Sequence, residues 1–523
     1  MSARSPARPP NILLVMADQL AAPALPAYGH KVVKAPNLSR LAESGVVFDN
    51  AYCNFPICAP SRFSMLSGRL PHSIGAYDNA AEFPSSIPTM AHYLRDAGYR
   101  TILCGKMHFI GADQLHGFQE RLTTDIYPAD FSWTPDWLKG PSYRPTGVSM
   151  RPVVEAGPCV RSMQIDYDDE VEYHGLQRLY DAARSPADQP FFLTISFTHP
   201  HPPFVTGREH WDRYRDEEID LPRIAPIPYE KLDEHSRWLY VAHAQDEFEL
   251  TEARVRRARH AYYGMISYID DKVGKIMRTL EETGLAGNTL VVFAVDHGEM
   301  MGERGMWYKQ TFYEWSARVP LIVSMPSRYS HRRVSAPVSL VDLLPTFMDV
   351  ARDGKATQYV DPIDGQSLLP LIEGERAGSR EVVAEYSSEG VCAASRMVRQ
   401  GRYKYVFTRG LAPMLFDLEA DPDELQNLAG LAQHAEAEKA LHARLVRDWD
   451  PEEVHARILA SQKRRLFLAG VAAAAEGSPN WAFQPFVDES KRYIRGAGSA
   501  GPTSVKSKAR FPYVAPAAPE RKP

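Results

Sequence analysis

The strongest constraint on the fold of this chain is a series of strand-length apolar runs separated by longer helical patterns. The runs cover residues 12–17, 101–104, 191–197, 290–295 and 321–323. Several are apolar at consecutive rather than alternate positions, the pattern of strands covered on both faces. Helical patterns fall between them at 36–43 (opened by Pro36), at 89–97, at 168–183 and from about 252 to 282. Strand and helix in alternation predict an α/β fold built on a large mixed, mostly parallel sheet flanked by helices. Near residue 376 the texture changes. Residues 381–386, 396–406 and 414–418 read as a meander of strands, and Asp421-Pro422-Asp423-Glu424 as a turn opening a short helix. Charged helices follow at 432–449 and, opened by Pro451, at 451–468. The predicted organisation is an α/β domain over 1–375, a small α+β subdomain over 376–475 and an extended tail over 476–523. Pro, Ala, Gly and basic residues dominate from Gly496 onward, which argues against a packed core there.

Composition removes several function classes. A net charge of −5 is too mild for a nucleic-acid binder or an anchor to anionic membranes. Five cysteines without a CxxC pair exclude a disulfide scaffold or a zinc ribbon, and the odd number suits a reducing compartment. Residues 1–10 read as a disordered arm. The 12–17 run is shorter than the core of a signal peptide and ends in Asp18-Gln19, with no cleavage pattern behind it. No apolar stretch is long enough to span a bilayer. The expectation is a cytoplasmic protein with neither nucleic acid nor membrane as partner.

Open α/β sheets bind ligands at the carboxyl ends of their strands, so the residues after each run matter most. Asp18 and Gln19 follow the first. Gly105, Lys106, Met107 and His108 follow the second, and Thr198, His199, Pro200 and His201 the third. Asp296, His297 and Gly298 follow the fourth, with Lys309 further along the same loop. One aspartate after a strand is often only a helix cap. Four sets at equivalent strand ends, rich in metal ligands and cations, predict a site for a metal and an anion. Asp18, Gln19, Asp296 and His297 could hold the metal. Three oxygen donors suit Ca2+, Mg2+ or Mn2+, the imidazole favours Mn2+, and zinc fits less well. Lys106, His108, His201 and Lys309 read as charge partners for a substrate oxyanion.

The segment Cys58-Ala59-Pro60-Ser61-Arg62, followed by Leu66-Ser67-Gly68-Arg69, resembles the signature of the sulfatase family in the alkaline-phosphatase superfamily. That signature, C-x-P-S-R with a downstream L-x-G-R, marks a cysteine oxidised to formylglycine. The resemblance runs through Tyr77-Asp78-Asn79, Gly105-Lys106-Met107-His108, Asp296-His297-Gly298 and Gly401-Arg402-Tyr403-Lys404, and is strongest to the choline-sulfatase branch. It implies that Asp18, Gln19, Asp296 and His297 bind a divalent metal. Cys58 would be the nucleophile precursor, matured by a formylglycine-generating enzyme, with Arg62, Lys106, His108, His201 and Lys309 around the sulfate. His201, preferred over His199 because Pro200-His201-Pro202-Pro203 fits the family's P-H-x-P pattern, would protonate the leaving alcohol. The chemistry explains the aldehyde. A serine or cysteine would leave a stable sulfated enzyme, whereas a hydrated aldehyde has one hydroxyl to attack sulfur and another to expel sulfate.

A quaternary ammonium needs an aromatic face with carboxylates nearby. Phe131, Trp133, Trp137 and Tyr127 cluster in one segment, with Glu385 and Glu389 as candidate carboxylates and Asn79 as a lining residue. Asn79, Trp133 and Glu385 form the expected substrate-binding set. Trp481-Ala482-Phe483 departs from the branch's Trp-Asp-Tyr-like element, so the expected substrate is choline-O-sulfate or a related amine-bearing sulfate. Aryl sulfates and phosphonate or phosphate monoesters are alternatives on the same scaffold, and an inactive anion-binding protein is a third. In that branch the tail packs against a neighbouring subunit, which implies a homo-oligomer, dimer or tetramer.

Overall fold

The computed structural model describes residues 9–184, 189–376 and 378–474, together with 481, 510, 512, 514 and 515. Eight strands form the main sheet, in the order Arg332–Val334, Val46–Phe48, Leu321–Ser324, Thr289–Val295, Asn11–Ala17, Phe191–Ser196, Arg100–Gly105 and Glu120–Arg121. Only Leu321–Ser324 runs antiparallel to its neighbours, so the sheet is mixed and mostly parallel. The central strand lies in register with both flanks, Ile12 opposite Phe192 on one side and Leu290 on the other. Every residue of Asn11–Ala17, Phe191–Ser196 and Thr289–Val295 is buried, which accounts for their unbroken apolar runs.

Helices cover the sheet in two groups. Glu252–Glu282 packs with Pro36–Ser44 and Met163–Arg184, and Leu343–Ala351 packs with Cys58–Ser67 and Met90–Asp96. Thr89, the predicted start of the 89–97 helix, is the N-cap of Met90–Asp96 in a capping box with His92. The 168–183 pattern extends to Met163–Arg184.

A second, four-stranded antiparallel sheet of Glu381–Tyr386, Ser395–Gln400, Tyr403–Thr408 and Met414–Asp417 follows in simple meander order. The single 396–406 segment of the sequence reading is a hairpin, turned at Gly401 with φ 59°. No helix opens at Asp421–Glu424. Glu424 takes a left-handed conformation and its carboxylate accepts from Lys404 Nζ at 2.7 Å and Glu314 N at 2.8 Å. This sheet is docked on the larger part of the chain. Its Val383, Met397 and Leu415 share one apolar cluster with Phe55, Ile57 and Phe312. The last described helix, Pro451–Ala474, runs beyond the expected end at 468. The subunit-contacting tail expected at 476–523 lies almost wholly outside the described residues. None of the described helices is long and apolar enough to cross a membrane.

Candidate active site

Four strand ends converge as the sequence predicts. A carboxylate oxygen each of Asp18 and Asp296, a ring nitrogen of His297 and Cys58 Sγ lie within 4.8 Å of one another, all buried. Cys58 opens the Cys58–Ser67 helix, whose first turn tolerates Pro60 because its N–H groups have no intrahelical acceptor. Its Sγ is 3.2 Å from His297 Nε2. Ser61 Oγ bolts the same turn to the Asp296 carbonyl at 2.6 Å. Two buried carboxylates with one imidazole suit a hard or borderline divalent cation. Burial holds the His297 ring down at about 4 against the pull of Asp296, so its nitrogen is neutral and able to ligate. These residues fit a metal.

Arg62, expected beside the sulfate, turns its guanidinium onto the acids of the cluster. Its Nε donates to Asp296 Oδ2 at 2.8 Å and its terminal nitrogens to Asp18 Oδ2, Ser196 Oγ and the Lys106 carbonyl. A guanidinium so engaged braces both acidic residues. Burial opposes ionisation of Asp296, yet Arg62, His297 and Lys106 together hold its carboxyl well below the usual range. Lys106 Nζ pairs with Asp18 Oδ2 and lies 4.2 Å from the Tyr127 ring centroid.

Gln19 has φ 61°, and its side chain is pinned at both ends. The amide nitrogen donates to Glu299 and the oxygen accepts from Lys309 Nζ. Lys309 Nζ also lies 3.1 Å from His201 Nε2, and Tyr127 Oη lies 3.1 Å from the same nitrogen. His201 Nδ1 is 2.7 Å from the Pro202 carbonyl, which can only accept, so Nδ1 carries the ring proton. The buried His108 ring stacks on Tyr127 at 4.5 Å, and neither of its nitrogens has a hydrogen-bond partner among the described residues. His199 Nδ1 lies 2.7 Å from Asp168 Oδ2.

A pocket of about 160 Å³ opens beside Cys58, lined among others by Asn79, Tyr127, Trp133, His201, Lys309 and Glu389. Asn79 Oδ1 also accepts from Ala59 N at 3.0 Å, which ties it to the nucleophile's helix. Glu385, expected to bind substrate, is not among the residues that line this pocket. Its carboxylate binds His72 through N at 2.8 Å and Nδ1 at 2.6 Å, with Arg396 3.5 Å away. The neighbouring candidate, Glu389, lines the pocket. Its Oε2 accepts from Thr146 Oγ1 at 2.8 Å, and burial raises its carboxyl to about 7.

Sequence reasoning missed the acids behind the site. Glu299 Oε1 accepts from Met301 N at 3.0 Å and Tyr308 N at 2.6 Å. Asp125 takes the N–H groups of Met107 and His108. Glu299 stands two residues after His297 and could have been noticed. Asp125 lies 17 residues from His108 with no local signal. A Glu299→Ala change leaves two buried N–H groups unpaired and releases Gln19. The expected cost is about 1–3 kcal/mol per unpaired group, read as a lower midpoint of thermal unfolding.

Comparison with known proteins agrees with this geometry. The sulfatase family model matches residues 10–353, and a second model, N-sulphoglucosamine sulphohydrolase C-terminal, matches residues 302–450. The choline-sulfatase of Rhizobium meliloti (strain 1021) is 43% identical over 496 residues, covering 93% of this chain and 96% of its own. Arylsulfatase K of Gallus gallus is 32% identical, covering 80% and 79%. Among solved structures, a phosphonate monoester hydrolase from Silicibacter pomeroyi shares the fold with a TM-score of 0.69 at 24% identity, covering 84% of this chain and 94% of its own. The first family match spans every strand whose end contributes to the cleft, and the choline-sulfatase match covers 93% of the chain. The chain therefore belongs to the sulfatase family and is a sulfuric ester hydrolase.

Proposed function

We propose that this sulfatase hydrolyses a small alkyl sulfate whose alcohol carries a cationic amine, choline-O-sulfate or a close relative, to the alcohol and inorganic sulfate. Residue 58 acts as formylglycine, made from Cys58 by a formylglycine-generating enzyme, and Asp18, Gln19, Asp296 and His297 hold a divalent cation, Ca2+, Mn2+ or Mg2+. The observation that carries the reading is a buried carboxylate, Glu389, in the same pocket as Cys58 and the aromatic rings of Tyr127 and Trp133. Aromatic faces and a carboxylate are what a quaternary ammonium requires. The long match to a protein named choline-sulfatase supports it. The other four cysteines, all free thiols, support a reducing, cytoplasmic location. The same resemblance supports a homo-oligomer, dimer or tetramer.

When present, the cation supplies Lewis-acid charge at the sulfate, and the hydrated aldehyde supplies one hydroxyl to attack sulfur and another to release sulfate. The chain's own groups set the rest. Lys309 brings positive charge toward the sulfate oxygens, and the unpartnered His108 ring offers an N–H to the same anion. His201 carries its ring proton on Nδ1, so it delivers a proton to the leaving oxygen from Nε2 as the imidazolium. Arg62 holds Asp18 in place and keeps Asp296 ionised.

Substrate choice is tested by kcat/KM on choline-O-sulfate, an aryl sulfate and a phosphonate monoester. The expected order puts choline-O-sulfate first; a large advantage for the phosphonate overturns the reading. Glu389 gives a pH prediction. Burial raises its folded pKa above the unfolded value, with Asp78 acting in the same direction and Lys309 and Thr146 against it. The protonated form is therefore favoured by folding, and that contribution to stability is lost as pH rises through about 7. The ionised form binds the ammonium group, so KM for a cationic substrate should rise by up to about tenfold per unit as pH falls below this value. Glu389→Gln should raise KM by about tenfold at neutral pH and flatten that dependence, with little change for an uncharged alkyl sulfate.

A further inference from the structure

We propose that Arg465 is a positioning residue that fixes the leaving-group wall of the active site, so that discrimination among alcohols is set from the terminal helix. This rests on the amine-bearing alkyl sulfate reading above. The Pro451–Ala474 helix lies beyond both matched family models, which end at 353 and 450. Its buried residues are Val454, Ile458, Gln462 and Arg465, spaced at helical intervals along one stripe. Val454 and Ile458 join the apolar cluster that contains Trp137.

The polar end of the stripe reaches three loops. The Arg465 guanidinium grips Asp78 through both terminal nitrogens, each at 2.6 Å, in a pair whose carboxylate has no exposure. It also donates to Thr134 Oγ1 at 3.3 Å. Gln462 Oε1 accepts from Trp137 N at 3.1 Å, and Trp137 Nε1 donates to the Ser388 carbonyl at 3.1 Å. Asp78, Thr134 and Ser388 are each the chain neighbour of a pocket residue: Asn79, Trp133 and Glu389. One helix face thus holds the three segments that shape the pocket opposite the sulfate. Asp78 Oδ1 accepts from Ala80 N at 2.9 Å and closes the turn that aims Asn79 at Ala59 N. The described hydrogen bonds of Arg465 and Gln462 do not reach Asp18, Asp296, His297 or Lys309, and the clamp meets the nucleophile's helix through Asn79 and Ala59 N.

A bidentate pair fixes direction as well as distance, which an ammonium group cannot reproduce. Without the pair the Asp78 turn loses its anchor, and without Arg465 the Thr134 loop loses its tether as well. Both effects fall on binding of the alcohol.

The test uses full-length, formylglycine-bearing enzyme as wild type, Arg465→Met, Arg465→Lys and Asp78→Asn. The readouts are kcat and KM for choline-O-sulfate and for an aryl sulfate, and the inhibition constant of inorganic sulfate. Arg465→Met and Asp78→Asn should raise KM for choline-O-sulfate at least about tenfold while the inhibition constant of sulfate stays within about twofold. The preference for the alkyl over the aryl ester should fall by about the same factor, and Arg465→Lys should recover part of it. Equal losses on both esters together with weakened sulfate inhibition would mean general damage and overturn the proposal, as would an unchanged preference. If Arg465→Met does not fold, Arg465→Lys and Asp78→Asn decide by the same criteria. If wild type shows no preference for choline-O-sulfate over an uncharged alkyl sulfate of similar size, the substrate reading fails. The clamp is then still judged by whether KM moves while sulfate inhibition does not.

Discussion

Replacing Cys58 with alanine is expected to lower kcat by roughly 10⁴-fold or more on every sulfate ester, while the fold survives. The group sits at the meeting point of Asp18 and His297, and both the proposed nucleophile and the proposed release of sulfate depend on its oxidised form. Its structural contribution is small. Sγ lies 3.2 Å from His297 Nε2 and 3.9 Å from Asp18 Oδ1, and the helix it opens is held instead by Ser61, Arg62 and Asn79. Thermal unfolding of Cys58→Ala should therefore change by no more than about 1 kcal/mol, so lost activity cannot be ascribed to lost structure. Matched circular dichroism and kinetics on one preparation check both halves.

The second large effect belongs to Asp296. Its carboxylate accepts from Arg62 Nε, Gln19 N and His297 N as well as lying in the proposed metal cluster. Asp296→Ala strands a wholly buried guanidinium with Asp18 as its remaining carboxylate. Breaking a buried pair from one side costs about 3–5 kcal/mol, and activity should fall with it. Metal dependence separates the two roles. A divalent ion at 100 times its dissociation constant should stabilise wild type by about 2.7 kcal/mol. Asp296→Ala should gain nothing measurable from the same ion. Asp296→Asn keeps an acceptor for Arg62 and should recover part of the stability without recovering the response to metal. Unfolding curves with and without Ca2+, Mn2+ or Mg2+ check this. Equal stabilisation of wild type and both variants would remove Asp296 from the metal site.

Much of this site was legible because a parallel sheet delivers the ends of its strands to one edge. The 12–17, 101–104, 191–197 and 290–295 runs were readable from composition alone, and Asp18, Lys106, His201 and Asp296 followed from their places after them. The same reasoning could not give side-chain direction. Arg62 was expected beside the sulfate, yet its fork turns inward to Asp18 and Asp296, because two buried carboxylates need a counter-charge as much as the substrate does. The sequence offers both Glu385 and Glu389 as carboxylates, and Glu385 was the one placed in the substrate-binding set. Glu385 lies within the Glu381–Tyr386 strand, where it is held by His72, while Glu389 lies in the loop beyond it and reaches the pocket. Asp125 and Arg465 were invisible for a different reason. Their partners are 17 and 387 residues away, and nothing local marks either contact.

The central claim is that a sulfate ester is cleaved at residue 58 after its thiol has become an aldehyde. Mass spectrometry of the peptide spanning Cys58, taken from a preparation whose turnover of choline-O-sulfate has been measured, addresses it directly. The account predicts that the fraction of peptide carrying formylglycine tracks specific activity across preparations made with and without the maturing enzyme. Full activity in a preparation whose residue 58 is entirely unmodified thiol would contradict it.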